Sequence, residues 1–379
     1  MPENPLLLLM ALLTFLTGGV VSFAASPLVR QFAYTIGAID VPQDERRMHK
    51  TPIPRLGGLA IFLGFLTATL LFVKIDHTLR GILLGAVVIV VLGVIDDIVR
   101  LPAWIKLLVQ IGAALIPVFH GVVIERFSNP FIFDSEAYLH LGPLSIPLTV
   151  LWIVAITNSV NLIDGLDGLA VGVSAISSLS LLIISLVLIQ PDIALIMAAL
   201  AGACVGFMPY NMNPAKMFMG DTGATFLGFI LAAVSVTGLF KFYNIISFAV
   251  PFLILALPIF DTVSAIFRRM IRGKSPMAAD RSHVHHRLID MGFSQKQSVA
   301  ILYTLSSVLA LSAVVLTTSG EIKSMLFILA VIVALALSSK LFTQPRKANP
   351  DAENTQSPAT GESAPESLES EEENRESDQ

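Results

Sequence analysis

The chain has 379 residues, of which 54% are hydrophobic and 14% charged, and its mean hydropathy is +0.77. Soluble domains carry about 25% charged residues, so an ordinary water-soluble globule is excluded and a bilayer-embedded chain is expected. The formal charge of −4 hides an asymmetry: residues 351–379 hold ten of the 28 acids and one of the 24 bases, which leaves the body at +5.

The first apolar run, near 5–27, has no basic leader, carries Glu3 and is longer than a signal's apolar core, so it reads as a retained helix. Similar runs follow near 56–73, 80–96, 104–123, 145–161, 168–189, 192–209, 222–240, 244–266, 297–318 and 323–342. A hydrocarbon core of about 30 Å takes about 20 helical residues. The expectation is therefore an all-α polytopic bundle of about eleven spans over residues 1–345. Residues 346–379, rich in Ser, Glu, Pro and Asn, read as a disordered acidic tail.

Eleven spans put the termini on opposite sides. The side that takes the loops 28–55, 97–103, 162–167, 210–221, 267–296 and the tail collects 19 Lys and Arg against 5 on the other. That bias predicts a cytoplasmic C-terminus and an outside N-terminus. No repeat or pair of broken helices of the transporter kind is visible. Cys204 is the only cysteine, so no intramolecular disulfide is possible.

The tight acidic and histidine clusters all fall on the basic side. Asp96 and Asp97 close an unbroken apolar run. Neighbours on a helix point about 100° apart, so one can serve a cation while the other faces a substrate or a base; a plain topological stop is the structural alternative. Next comes Asn161-Leu-Ile-Asp164-Gly-Leu-Asp167-Gly168, preceded by Asn158. Asn158, Asn161 and Asp164 lie three apart on one helical face. Four polar side chains between two long spans are costly unless they function, although an Asx-and-Gly loop is the structural alternative. Asp221, in Met217-Phe218-Met-Gly-Asp221-Thr-Gly223, suits either a helix N-cap or a hard oxygen ligand for Mg²⁺. Phe218 suits base stacking or interfacial anchoring. Finally, Asp280-Arg281-Ser-His283-Val-His285-His286-Arg287 places three histidines and two arginines within seven residues, a pattern that suits anion capture. A zinc site is the competing reading, without cysteines or regular ligand spacing. Together the clusters describe a hard-cation site and an anion site at one membrane boundary, the requirement for phosphoryl transfer to a lipid phosphate.

In order and spacing these elements resemble the polyprenyl-phosphate N-acetylhexosamine-1-phosphate transferase superfamily, over about residues 5–340. The bacterial undecaprenyl-phosphate N-acetylglucosamine-1-phosphate transferases are the nearer branch. The phospho-MurNAc-pentapeptide translocases, with a compact His-His-His run, are the sister group; here the run is His283-Val-His285-His286. The resemblance implies an eleven-span fold and a Mg²⁺-dependent transferase, with Mn²⁺ as an alternative. Its substrates would be a UDP-sugar and undecaprenyl phosphate, met at the cytoplasmic face of the plasma or inner membrane. It implies catalytic roles for Asp96, Asp97, Asp164, His285 and His286, and metal binding by Asn161 and Asp221. Substrate binding would fall to Asn158, Asp167, Phe218 (on uracil), Arg281 and His283. The segment His49-Lys50-Thr-Pro-Ile-Pro-Arg55-Leu-Gly-Gly58 resembles the family's first cytoplasmic motif and would put Lys50 or Arg55 near the nucleotide. Homodimers and downstream glycosyltransferases are the implied partners, nucleic acid is not. A translocase-like activity, a transporter and a non-catalytic scaffold are the alternatives.

Overall fold

The structure, a computed structural model, describes residues 5–41, 52–128, 138–238, 245–271, 273 and 283–318. Lys50, Asp280, Arg281, the expected span 323–342 and the acidic tail lie outside the described residues. Within them the chain is almost wholly helical. In order it forms α1 (Pro5–Ile36), β1 (Ile39–Asp40), β2 (Ile53–Pro54), α2 (Gly57–Phe72), α3 (His77–Val99) and α4 (Ala103–Phe119). Then come β3 (Arg126–Ser128), β4 (Tyr138–His140), α5 (Ser145–Ile163), α6 (Leu169–Val187), α7 (Pro191–Asn211) and α8 (Gly220–Gly238). The described chain ends with α9 (Ile245–Ile254), α10 (Ala256–Ile271), α11 (Val284–Asp290) and α12 (Gln295–Thr318).

Seven of the described helical segments are long and apolar enough to cross a membrane: α1, α3, α5 with the short turn before it, α6, α7, α8 and α12. Helices α2 and α4 are apolar but shorter. The two antiparallel hairpins, β1 with β2 and β3 with β4, are the departures from the all-α expectation.

The pattern of α1 is that of a helix solvated by lipid. Its buried face runs Leu7, Ala11, Thr14, Gly18, Ser22, Ser26, Val29, Ala33, while Leu8, Leu9, Leu12, Leu16 and Phe23 are exposed. Lipid is as apolar as leucine, so close approach of small residues, not burial of large ones, drives helices together. The partner is α7, which carries Gly202 and Gly206 four apart; a methyl on either would overlap the backbone of Phe15 or Gly19. The centre of the bundle is α8, packed on α3, α5, α2 and α6, with Asp221 and Thr237 its only residues not fully buried.

The expected single span 244–266 is divided. Pro258 has no N–H and cannot reach back to the carbonyl of Ile254, and the helix breaks at Leu255 between α9 and α10. The hydroxyl of Ser177 on α6 donates to that Ile254 carbonyl at 3.1 Å, so the group that proline leaves without a partner is satisfied inside the bundle.

Candidate functional site at one end of the bundle

The polar clusters sit where alternate helices begin and end: the C-terminal ends of α3, α5 and α7 and the N-terminal ends of α4, α6 and α8. Asp76 caps α3 by accepting from the Leu79 N–H at 2.7 Å; twenty residues further on the helix delivers Asp96 and Asp97, both buried. They diverge, as adjacent helical positions must. Asp96 accepts from the Leu101 N–H (2.7 Å) and from Lys106 Nζ (2.8 Å). Asp97 turns to α8, accepting from the N–H groups of Asp221 (2.9 Å) and Thr222 (3.0 Å) and from the Thr222 hydroxyl (2.7 Å). Arg55 stands 3.6 Å from Asp97 and 3.7 Å from Asp40, which anchors β1 beside the cluster.

Asp221 is not the N-cap of α8; it is in the first turn, one residue after Gly220. Its carboxylate receives Lys106 Nζ at 3.0 Å, so one ammonium bridges Asp96 and Asp221. Lys106 is a residue that motif reading passes over. A lysine in the first turn of a helix opposes the helix dipole, and that misplacement is the signal that could have found it: the carboxylates of α3 and α8 repay it.

Asp164 follows α5 directly as its C-cap and is half-buried. Burial, and then the charges of Asp221 and Asp97, push its carboxyl up to about 7. Asn161 is half-buried one turn earlier. Asn158 spends its amide on Gln110 of α4 (2.7 Å) and the Val154 carbonyl (2.8 Å), tying α5 to α4. Asp167 accepts from Asn213 Nδ2 (2.9 Å) and the Ala215 N–H (3.1 Å), and Asn213 also donates to Gln295 at the start of α12 (2.7 Å). In this geometry Asp167 braces the turn between α7 and α8. Asn211, buried and also absent from the sequence reading, does the same work by accepting from Gly168 N–H and donating to the Met217 carbonyl.

Phe218 is half-buried, its backbone paired with Pro54 and Gly57. The histidine segment is held by Asp261 of α10, which accepts from His283 Nδ1 and from the Val284 N–H, each at 2.8 Å. Asp261 bore no assigned role in the sequence; its partner lies 22 residues away across residues with no pattern. His285 is buried at 3% exposure, its Nε2 lies over Gly165, and that nitrogen has no hydrogen-bond partner. Burial, and then His286 at a ring distance of 4.2 Å, push its imidazole down to about 4, so it is neutral at physiological pH. Thus Asp96, Asp97, Asp164, Asp221, Arg55 and Lys106 share one cluster, and His285 meets it through the Asp164–Gly165 turn.

Such a site holds half-exposed carboxylates, those of Asp164 and Asp221, beside the fixed cations of Arg55 and Lys106, an arrangement able to receive phosphate groups. Residues 79–239, which run from α3 to the end of α8, match the model of glycosyl transferase family 4. The chain is 40% identical over 309 residues to the probable undecaprenyl-phosphate N-acetylglucosaminyl 1-phosphate transferase of Bacillus subtilis strain 168, covering 81% of this chain and 85% of that one. It is 35% identical over 326 residues to the decaprenyl-phosphate N-acetylglucosaminephosphotransferase of Mycobacterium tuberculosis H37Rv, covering 79% and 80%. Against the undecaprenyl-phosphate alpha-N-acetylglucosaminyl 1-phosphate transferase of Escherichia coli K12 it is 29% identical over 286 residues, covering 74% and 77%. By this similarity along most of its length, the chain belongs to glycosyl transferase family 4.

Proposed function

We propose that the protein transfers N-acetylglucosamine-1-phosphate from UDP-N-acetylglucosamine to undecaprenyl phosphate, releasing UMP and starting a cell-envelope glycopolymer. The observation that carries the reading is Asp221, half-exposed at the N-terminus of α8 and shared through Lys106 with Asp96, in a chain similar to proteins of that named activity.

In the reaction an oxygen of the lipid phosphate attacks the sugar-bearing phosphorus of the donor. The bond from that phosphorus to the bridging oxygen breaks, and UMP leaves with the oxygen. The acceptor phosphate already carries between one and two negative charges near neutral pH, so bringing two anions together is the harder task, and charge stabilisation is the main contribution of the protein. Lys106 and Arg55 supply fixed positive charge. Neutral His285, its Nε2 buried over Gly165, shapes the Asp164–Gly165 turn that borders the carboxylates. Phe218 offers a ring for the uracil.

The donor atoms also suit Mg²⁺, or Mn²⁺. Asp221 and the amide oxygen of Asn161 are hard oxygen ligands, and Asp221 keeps an oxygen that Lys106 does not engage. Among the described residues no three His, Cys, Asp or Glu form a ready-made cage; Mg²⁺ commonly takes one or two carboxylates and completes its shell with water and substrate phosphates. When bound, the ion supplies neutralisation of the donor diphosphate.

The excess of basic residues at this end supports a cytoplasmic active site in an eleven-span topology. In detergent, the purified protein given both substrates releases UMP, and EDTA stops it. Release of UDP would overturn the reaction class, and UMP release indifferent to EDTA would overturn the metal assignment. A panel of UDP-N-acetylhexosamines identifies the sugar.

A further inference from the structure

We infer that Asp97 is a positioning residue: from α3 it caps the first turn of α8 and thereby sets the carboxylate of Asp221. The inference rests on the reading above, in which Asp221 faces the reacting phosphates.

A helix leaves its first N–H groups without intrahelical partners, and those of α8 point into the interior of a bundle. The residue at the start of α8 cannot cap them. Gly220 has no side chain and adopts a φ of +73°, and any side chain there would run into the Arg55 carbonyl and the Asp97 carboxylate. The cap comes from another helix. Asp97 accepts from the Asp221 and Thr222 N–H groups and from the Thr222 hydroxyl, and the guanidinium of Arg55 lies alongside.

The same contacts leave Asp97 with little else to do. A carboxylate has about four lone-pair directions. Three carry hydrogen bonds, the Arg55 guanidinium stands 3.6 Å from Oδ1, where the fourth lies, and the side chain is 0% exposed. A proton from an acceptor phosphate has no open path to this group. Asp221, by contrast, is 24% exposed along its side chain.

The other flank of the segment is fixed as well. Phe218 N–H donates to the Pro54 carbonyl (2.8 Å), Gly57 N–H to the Phe218 carbonyl (2.9 Å) and Gly58 N–H to the Met219 carbonyl (2.8 Å). Residues 218–222 are thus clipped between the β2–α2 junction and Asp97. The backbone clip presents Phe218, and the carboxylate cap orients Asp221. A charge-assisted cap in a water-poor site is a strong hydrogen-bonded group, so its removal reaches Asp221 without Asp97 touching a substrate.

The test compares Asp97→Asn, Thr222→Ala and the double variant for UMP release as a function of pH, with amide hydrogen exchange across 218–224 measured on the same samples. Asp97→Asn is close to isosteric and keeps one acceptor. Its turnover should fall by about tenfold or more, and Thr222→Ala by less. The double variant should be no worse than Asp97→Asn, because both changes break one contact. The pH–rate limbs should stay where the wild type has them, and the Asp221 and Thr222 amides should exchange faster in Asp97→Asn. Multiplied losses in the double variant, a missing pH limb in Asp97→Asn, or unchanged amide exchange would each overturn the inference. A wild type that releases no UMP refutes the functional reading instead, and the exchange comparison still decides the cap.

Discussion

At the scale of single residues, the site works through charges that compensate one another across helices. Lys106 is the hinge of that compensation, with Asp96 at 2.8 Å and Asp221 at 3.0 Å. Replacing it by alanine leaves two carboxylates facing each other without a cation. UMP release by Lys106→Ala should fall on the order of tenfold or more, with the protein still monodisperse in detergent; near-normal turnover would remove Lys106 from the site. Gly165 makes a different demand, for space. Its missing side chain admits His285 Nε2, so Gly165→Ala should cost about 1–3 kcal/mol of stability by overpacking, and should displace α11 and lower turnover. His285 also sets an acid limit. Its folded pKa of about 4 lies below its ordinary 6.5, so its stability contribution is present above pH 6.5 and is lost as the pH falls through 4. Melting of the solubilised protein between those values should show a loss on the order of 3 kcal/mol. His285→Gln should flatten that slope, and an unchanged slope would show that the imidazole is not held neutral by the fold.

At the scale of elements, the helices obey the inverted logic of a lipid solvent. The buried face of α1 is mostly small, with Ala11, Thr14, Gly18, Ser22, Ser26 and Ala33, and it meets Gly202 and Gly206 of α7, while the leucines of its other face point outward. The break between α9 and α10 shows how such a bundle tolerates proline: the Ile254 carbonyl that Pro258 abandons is taken by Ser177. Ser177→Ala leaves that carbonyl unpaired away from water, and thermal melting should show a loss of about 1–3 kcal/mol. Period counting cannot see this break. The run 244–266 is apolar throughout its first half, and a proline alone does not say which run divides, since Pro27 and Pro209 lie inside the continuous helices α1 and α7.

At the scale of the whole molecule, orientation is the open quantity that the sequence already predicts. Cys204 is fully buried, so single cysteines can be read against a silent background. Lys74→Cys should react with a membrane-impermeant maleimide on intact cells, and Lys216→Cys only after permeabilisation; the reverse result would invert the topology.

The sequence by itself determined the helical, membrane-embedded class and the positions of most helices, because a run of apolar residues needs no partner to be recognised. It also singled out the polar segments, since acids, asparagines and histidines are costly in such a chain, and the structure gathers residues of several of them at one end of the bundle. The sequence could not say what those residues touch. Asp96 and Asp97 read as a pair that must diverge without saying to what, and the structure gives each its partner, Lys106 for one and the first turn of α8, 124 residues away, for the other. For Asp167 and Asn158 the sequence could not show the hydrogen bonds by which they tie the α7–α8 turn and helix α4 to their own segments. Lys106, Asn211 and Asp261 had no motif at all, because each is defined by a partner on another helix. Composition and spacing are local quantities, whereas the direction of a side chain at a helix end depends on which neighbour packs there, and only the tertiary structure decides that.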